Sequence, residues 1–360
     1  MRLDIIAGAR PNFMKIAPII EALKPYEGKI KYRLVHTGQH YDEKMSGSFF
    51  RELGIPSPDV NLEVGSGTQA EQTSRIMTRY ESLLMQSPAD CCLVVGDVTS
   101  TMACSITAKK MGLKVVHVEA GIRSRDLSMP EEINRMVTDA ITDYCFTTSE
   151  VANENLRELG HGEDNICFVG NTMIDTLLKN MDRLKRPQVW DDLSLKEGHY
   201  FVMTLHRPAN VDEERKLAEL IDEVVLGARS LPIVFPVHPR TAKVLKKLGI
   251  QSENLHMIGP LGYLEFNYLV KNAFAVITDS GGITEETTVM NVPCLTLRDN
   301  TERPETITLG TNELVGTDPS EIAPFMKRLH EGQWKKGQIP PLWDGKTGQR
   351  IAKLLLEKLG

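Results

Sequence analysis

The chain has 360 residues, of which 41% are apolar and 25% charged, with a formal net charge of -6. That length exceeds one ordinary hydrophobic core and predicts two domains, and the acidic balance gives no electrostatic case for nucleic acid. No apolar run reaches the roughly 18 residues that a spanning helix needs, and the opening MRLDIIAGARP lacks a signal-peptide layout, so no membrane partner and a cytoplasmic location are expected.

Short apolar runs alternate with amphipathic segments along the whole chain. RLDIIAG, KYRLVHTG, CCLVVGD, KVVHVEA, YCFTTS and ICFVGN read as strands in the first half, and YFVMTLH, IVFPVH, LHMIG, FAVITDS and PCLTLRD in the second. Helix patterns such as MKIAPIIEALKP, EQTSRIMTRYESLLMQ and TSTMACSITAKKMG lie between them. This rhythm predicts α/β units with parallel sheets, arranged as two Rossmann-like doubly wound domains. It falters between about Asn180 and His199, a polar stretch read as the link between domains. The division is placed at 1–172 and 173–360, and the amphipathic helix at about 346–360 is expected to pack back on the first domain. Ligands of such sheets sit beyond the carboxyl ends of strands, so the active site is expected in the cleft between the domains. The six cysteines, Cys91, Cys92, Cys104, Cys145, Cys167 and Cys294, form no CxxC pair and no spaced Cys/His set. They are expected as buried free thiols in a reducing compartment.

The polar residues of interest follow strands. After the first come Gly8, Arg10 and Lys15; Arg10 can fork onto a phosphate, or be a solvated arginine of a plain turn. The dinucleotide fingerprint GxGxxG is absent, which disfavours that cofactor. Asp97 ends the CCLVVGD strand, and Ser100 or Thr101 is placed to cap the next helix. Glu119 and Gly121 end KVVHVEAG, and Glu131 and Glu132 follow Pro130 at a predicted helix start. Clustered carboxylates raise one another's pKa, which suits proton transfer near neutrality; acids at such positions are also ordinary caps.

In the second half, His206-Arg207 and His238 with Arg240 end two strands and can hold phosphate or move a proton. In VITDSGGITEE, a strand breaks into glycines before a helix, the layout of an anion site built on bare amides. A nucleotide diphosphate fits: it would lie on Ser280, Gly281 and Gly282, with Glu286 reaching the ribose and Glu285 facing solvent. Phe266 can lie against a base ring, or simply fill the core.

Together, GARPNFMKIAPI, HTGQHYD, GDVTSTMA, HVEAGIRS, PEEINR, GNTMIDTL, LHRPAN, DSGGITEE and LRDNTERPE resemble the non-hydrolysing UDP-N-acetylglucosamine 2-epimerases, over essentially the whole chain. The resemblance implies the two-domain GT-B architecture, a homodimer, and no metal or redox cofactor. It implies inversion of C2 in UDP-GlcNAc to give UDP-ManNAc, through loss of UDP to a 2-acetamidoglucal and re-addition, with the product supplying a bacterial surface polysaccharide. Asp97, Glu119 and Glu131 match the catalytic carboxylates, one taking the C2 proton and another supplying it from the opposite face. Arg10, the catalytic His206, Ser280, Gly281 and Gly282 would receive the departing diphosphate, Glu286 the ribose, and Phe266 the uracil. Arg298, Glu302 and Arg303 would line the cleft, Lys15 would lie near the catalytic or the regulatory sugar, and Gln39, His40 and Gln69 match a site for a second UDP-GlcNAc as activator.

The chain departs from the family pattern at GARPN, where GTRPE is usual, and at HRPAN, where HRREN is frequent. The segment between Glu119 and Glu131 is also slightly shorter than in the commonest bacterial members. These departures leave open a related sugar such as a UDP-diacetamido-uronate. Two further readings compete: a hydrolysing 2-epimerase, which differs only in the fate of the glycal, and a GT-B glycosyltransferase, which shares the nucleotide cradle.

Overall fold

The computed structural model describes residues 1–38, 54–237, 239–250 and 252–360; at Arg10, Pro208, Ala209, Pro239, Arg240, Lys243 and Lys246 it describes the backbone only. The chain forms two compact units, Met1–Lys179 with Pro341–Gly360, and Asn180–Pro340. The first unit thus runs beyond residue 172 and takes in the C-terminal segment.

The strands of the first unit are β1 (Arg2–Ala7), β2 (Lys31–His36), β3 (Val60–Asn61), β4 (Cys91–Val95), β5 (Lys114–Val118), β6 (Tyr144–Thr147) and β7 (Ile166–Phe168). They form one parallel sheet in the order β3-β2-β1-β4-β5-β6-β7. Helices cover both faces of such a sheet, so its central strands read as unbroken apolar runs; all of Cys91–Val95 is buried. The second unit has β8 (Phe201–Thr204), β9 (Ile233–Pro236), β10 (Leu255–Ile258), β11 (Ala275–Thr278), β12 (Cys294–Thr296) and β13 (Asn312–Leu314), parallel in the order β10-β9-β8-β11-β12-β13. In both sheets the order reverses once, between β1 and β4 and between β8 and β11. At such a switch point the flanking loops part and leave a crevice for a ligand.

The two shortest strand signals escaped the periodicity. Val60–Asn61 has only two residues, and Asn312–Leu314 reads NEL, with one apolar side chain, so neither shows an apolar run. The polar stretch from Asn180 to His199 is folded into the second unit and is not a free link. Trp190 is buried there, edge-on to Tyr200 at 5.6 Å and to Tyr268 at 5.3 Å. One large aromatic anchors a segment whose average composition is polar. The six cysteines carry free thiols, five of them buried. No described helix is long and apolar enough to cross a membrane.

The C-terminal helix Thr347–Leu359 buries Ile351, Ala352 and Leu355 and packs on the first helix, Arg10–Leu23. Gly348 lies where the two backbones come close. Its N–H donates to Asp175 at 2.7 Å, and a Cβ added there would lie 2.4 Å from the Pro18 carbonyl oxygen. Upstream, the Trp343 indole donates to the Thr148 carbonyl at 3.0 Å. Gly348→Ala should therefore push the two helices apart and destabilise the chain by about 1–3 kcal/mol. Urea unfolding checks this, and an unchanged midpoint would mean the contact is slack.

Candidate active site

Polar side chains gather at the switch point of each sheet. In the first unit, Asn12 fastens the β1 turn. Its Oδ1 accepts from the Gly8 and Ala9 amides at 3.1 and 2.9 Å, and its Nδ2 donates to the Val95 carbonyl at the end of β4, at 3.0 Å. One turn on, Lys15 Nζ meets Glu119 Oε2 at 2.7 Å. Glu119 follows β5, is buried, and has φ +68, a left-handed conformation unusual for a glutamate. Asp97 follows β4 and pairs with Arg135; its own carbonyl accepts from Asn134 Nδ2 at 2.8 Å.

The helix Pro130–Ile141 supplies both of these partners, and its polarity is inverted. It buries Glu132, Asn134, Arg135, Thr138 and Asp139, and exposes Ile133 and Met136. Glu132 accepts from the Ser124 and Arg125 amides, each at 2.9 Å, and from Arg135 at 2.9 Å. Burial alone would raise its pKa, but these donors hold it below the usual glutamate range. Glu131, at the start of the helix, is half-buried. The acids are therefore interleaved with cations, Asp97 and Glu132 with Arg135 and Glu119 with Lys15, and do not form the bare carboxylate cluster expected. Nor does a hydroxyl cap the helix Thr99–Lys110, whose N-cap is Val98. Thr101 Oγ1 instead donates to the Val95 carbonyl, and Ser100 bonds Thr37.

In the second unit the hub is Asp279, fully buried after β11. It accepts from the His206 and Arg207 amides at 3.0 and 2.9 Å and from Asn210 Nδ2 at 3.2 Å, and it faces His206 Nδ1 at 2.7 Å. Burial opposes its charge, but the His206 contact and the amides hold its pKa below the usual range. His206 is oriented through one ring nitrogen while 63% of its side chain stays exposed. The helix Gly281–Met290 begins next, with Ser280 as an N-cap whose hydroxyl makes no capping bond. The Ser280 amide donates to Thr278 Oγ1 at 3.0 Å, so the amides left for an anion begin at Gly281. A Cβ on Gly281 would meet only Glu302 and Arg298 at 3.8 and 3.9 Å, and one on Gly282 nothing within 4 Å. Protein packing does not demand these glycines; they leave bare backbone beside the Arg298–Glu302 pair, which closes at 2.6 Å.

Glu285 and Glu286 lie in the second turn of that helix, and both are buried. Glu285 does not face solvent: it is ion-paired with Arg303. Glu286 accepts from the Tyr263 hydroxyl at 2.8 Å, and burial pushes its pKa up to about 7. Phe266 is half-buried and packs on the core that contains Trp190. Gln69 begins a helix and accepts from Thr99 Oγ1 at 3.1 Å. Gln39, His40 and His238, and the side chains of Arg10 and Arg240, lie outside the described residues.

Sequence reasoning missed Asn12, His117, Arg135, Asp139 and Tyr263 as site-shaping groups, and read no role into Asp279. For His117 and Asp279 the available signal was a polar residue inside or directly after an apolar strand run; Asn12, Arg135, Asp139 and Tyr263 lie on helices and gave none. Glu305 was missed as well. It is buried, neither of its carboxylate oxygens has a hydrogen-bond partner among the described residues, and burial lifts its pKa from 4.5 to about 7. Its proton is held more tightly in the folded chain than in the unfolded one. Its contribution to stability is therefore complete below pH 4.5 and is lost as pH rises through about 7. Glu305→Gln should match the parent chain at about pH 4.5 and exceed it by roughly 2–3 kcal/mol at about pH 8 in urea unfolding. A variant no more stable at the higher pH would contradict the assignment.

Two Rossmann-like parallel sheets, each with its polar residues gathered at a switch point, define the GT-B class of architecture. The sequence profile of the UDP-N-acetylglucosamine 2-epimerase family matches residues 22–356. The chain is 40% identical to the UDP-N-acetylglucosamine 2-epimerase of Methanocaldococcus jannaschii over 99% of both chains. It is 37% identical to the UDP-2,3-diacetamido-2,3-dideoxy-D-glucuronate 2-epimerase of Pseudomonas aeruginosa, again over 99% of both. Its structure matches that of the M. jannaschii UDP-GlcNAc 2-epimerase in complex with UDP-GlcNAc and UDP with a TM-score of 0.87, at 40% identity, covering 99% of this chain and 100% of that one. The chain belongs to the UDP-N-acetylglucosamine 2-epimerase family and is, as an epimerase, an isomerase.

Proposed function

We propose that this chain reversibly epimerises UDP-GlcNAc to UDP-ManNAc at C2. The observation that carries the reading is the set of strand-end carboxylates interleaved with cations in the first unit, in a chain whose second unit offers bare amides beside an arginine. The C2 proton is weakly acidic, so its loss must be coupled to departure of a stabilised leaving group. A carboxylate among Asp97, Glu119 and Glu131 takes that proton, and the C2–H electron pair becomes the C1=C2 bond of a 2-acetamidoglucal. The C1–O bond breaks with its electron pair going to the β-phosphate. UDP is received by the amides from Gly281 on, by Ser280 Oγ, Arg298, His206 and Arg10, with Glu286 on the ribose and Phe266 near the base. Re-addition of UDP at C1, with a proton delivered to C2 from the opposite face, gives the epimer.

Finer parts of the reading have their own support. A homodimer is supported by the apolar residues exposed on and beside the inverted helix, Leu127 at 65%, Ile133 at 47% and Met136 at 43%. A reducing, cytoplasmic setting is supported by the six free thiols. An activating second UDP-GlcNAc is proposed near Gln69. A second reading, epimerisation of a UDP-diacetamido-uronate, is favoured by the 37% identity to the Pseudomonas enzyme of that name.

Proton NMR of UDP-GlcNAc incubated with the protein in D2O tests the proposal. UDP-ManNAc with deuterium at C2 is expected; free ManNAc with UDP would indicate hydrolysis, and no change would favour the uronate. Asp97→Asn, Glu119→Gln and Glu131→Gln should each lower turnover by about 10²–10⁴ while still binding UDP. Full activity in all three would sink the carboxylate mechanism. Glu286→Ala should weaken UDP binding about tenfold, the loss of one buried charge-assisted hydrogen bond.

A further inference from the structure

His117 lies within β5, two residues before Glu119, and is fully buried. Its Nδ1 faces Asp139 Oδ1 at 2.7 Å, and its Nε2 faces the Gly96 carbonyl oxygen at 2.8 Å. Asp139, on the inverted helix, is also fully buried, and its Oδ2 accepts from the Gly121 amide at 3.0 Å and from Arg123 Nη1 at 2.6 Å. Gly96 directly precedes Asp97, and Gly121 lies two residues past Glu119. One buried pair therefore grips both carboxylate-bearing turns, on β4 and on β5. Each turn is held in a conformation that side-chain-bearing residues rarely adopt: φ is +69 at Gly96, +68 at Glu119 and +79 at Gly121. A local sequence does not maintain such turns unaided; fixed partners must do so. Gly121 has no freedom to drift, since a Cβ there would lie 2.3 Å from the Ala152 carbonyl oxygen.

We infer that His117 and Asp139 are a positioning pair that fixes the spacing of Asp97 and Glu119, with the His117 ring donating a hydrogen bond on both sides. The inference rests on the epimerase reading for the roles of those two acids. The donor pattern follows from chemistry. A carbonyl oxygen can only accept, so Nε2 carries hydrogen, and an ionised Asp139 can only accept, so Nδ1 carries hydrogen too. Asp139 is kept ionised against its burial by His117 and Arg123. Both ring nitrogens thus carry hydrogen, and both side chains are fully buried.

The pattern sets up an asymmetric pair of variants. Glutamine at 117 has a single donor group and cannot span both partners. Asparagine at 139 can instead donate to Nδ1 of a neutral ring, whose Nε2–H still reaches Gly96, so the grip survives with the charge removed. His117→Gln should lower kcat about a hundredfold through misplaced acids, with KM for UDP-GlcNAc within about threefold. Asp139→Asn should retain kcat within about tenfold. Nitrogen-15 NMR of histidine-labelled protein reads the ring directly, His117 being assigned by its absence in the variant. Both ring nitrogens should be protonated in the parent chain, and only one in Asp139→Asn. A parent chain inactive on every UDP-sugar would end the functional reading while leaving this spectrum to judge the pair. A hydrogen-free nitrogen on His117 in the parent overturns the inference, as does undiminished kcat in His117→Gln, or KM rising in step with the fall in kcat.

Discussion

A carboxylate taken out of water must find donors, and in this chain that requirement organises the loops that carry the chemistry. Asp139 and Asp279 are both fully buried. An unpaired ion so placed would cost several kcal/mol, so each draws backbone N–H, an imidazole and a side-chain donor around itself. Asp139 thereby holds the turns after β4 and β5, and Asp279 the loop after β8. The two units arrive at the same device from unrelated local sequence. In both, the buried aspartate fixes loops at the carboxyl edge of the parallel sheet, where strand order opens a crevice.

The division of labour follows from that rigidity. The first unit keeps the acids proposed for proton transfer beside cations, Lys15 for Glu119 and Arg135 for Asp97. The second unit keeps a helix N-terminus bare and sets Arg298 beside it. The proposed elimination needs both arrangements. A carbon acid is deprotonated only as fast as its leaving group can depart, and preorganised donors stabilise the charge that builds on the diphosphate without reorganising at the moment of reaction. Arg298 carries its own counter-charge, Glu302, so a diphosphate arriving there takes up part of a hydrogen-bonding arrangement that already exists.

Most of the fold was legible in the sequence. The strands named from apolar runs all form, because a parallel sheet covered on both faces must be apolar throughout. The short β3 and β13 were not legible, since neither carries an apolar run. The stretch from Asn180 to His199 does begin at the unit boundary, but average polarity hid the tryptophan that folds it into the second unit. At the site, the residues proposed to meet ligand were read from glycines and acids after strands. The residues that hold them in place were not. His117 inside an apolar strand reads as core, and its partner Asp139 lies far along the chain on a helix whose polar face turns inward. Glu285 reads as solvent-facing until Arg303, distant in sequence, is brought beside it. Pairings across the chain leave no local trace, and a single sequence does not reveal them.

The central claim is that the bond between C1 and the UDP oxygen breaks and re-forms on the protein. Positional isotope exchange tests it most directly, using UDP-GlcNAc labelled with oxygen-18 in the bridge between C1 and the β-phosphorus. Phosphorus NMR should show the label passing into non-bridging positions of the β-phosphate as the epimer appears. A label that stays in the bridge while the epimer accumulates would contradict elimination and re-addition, and would require inversion at C2 with the glycosidic bond intact.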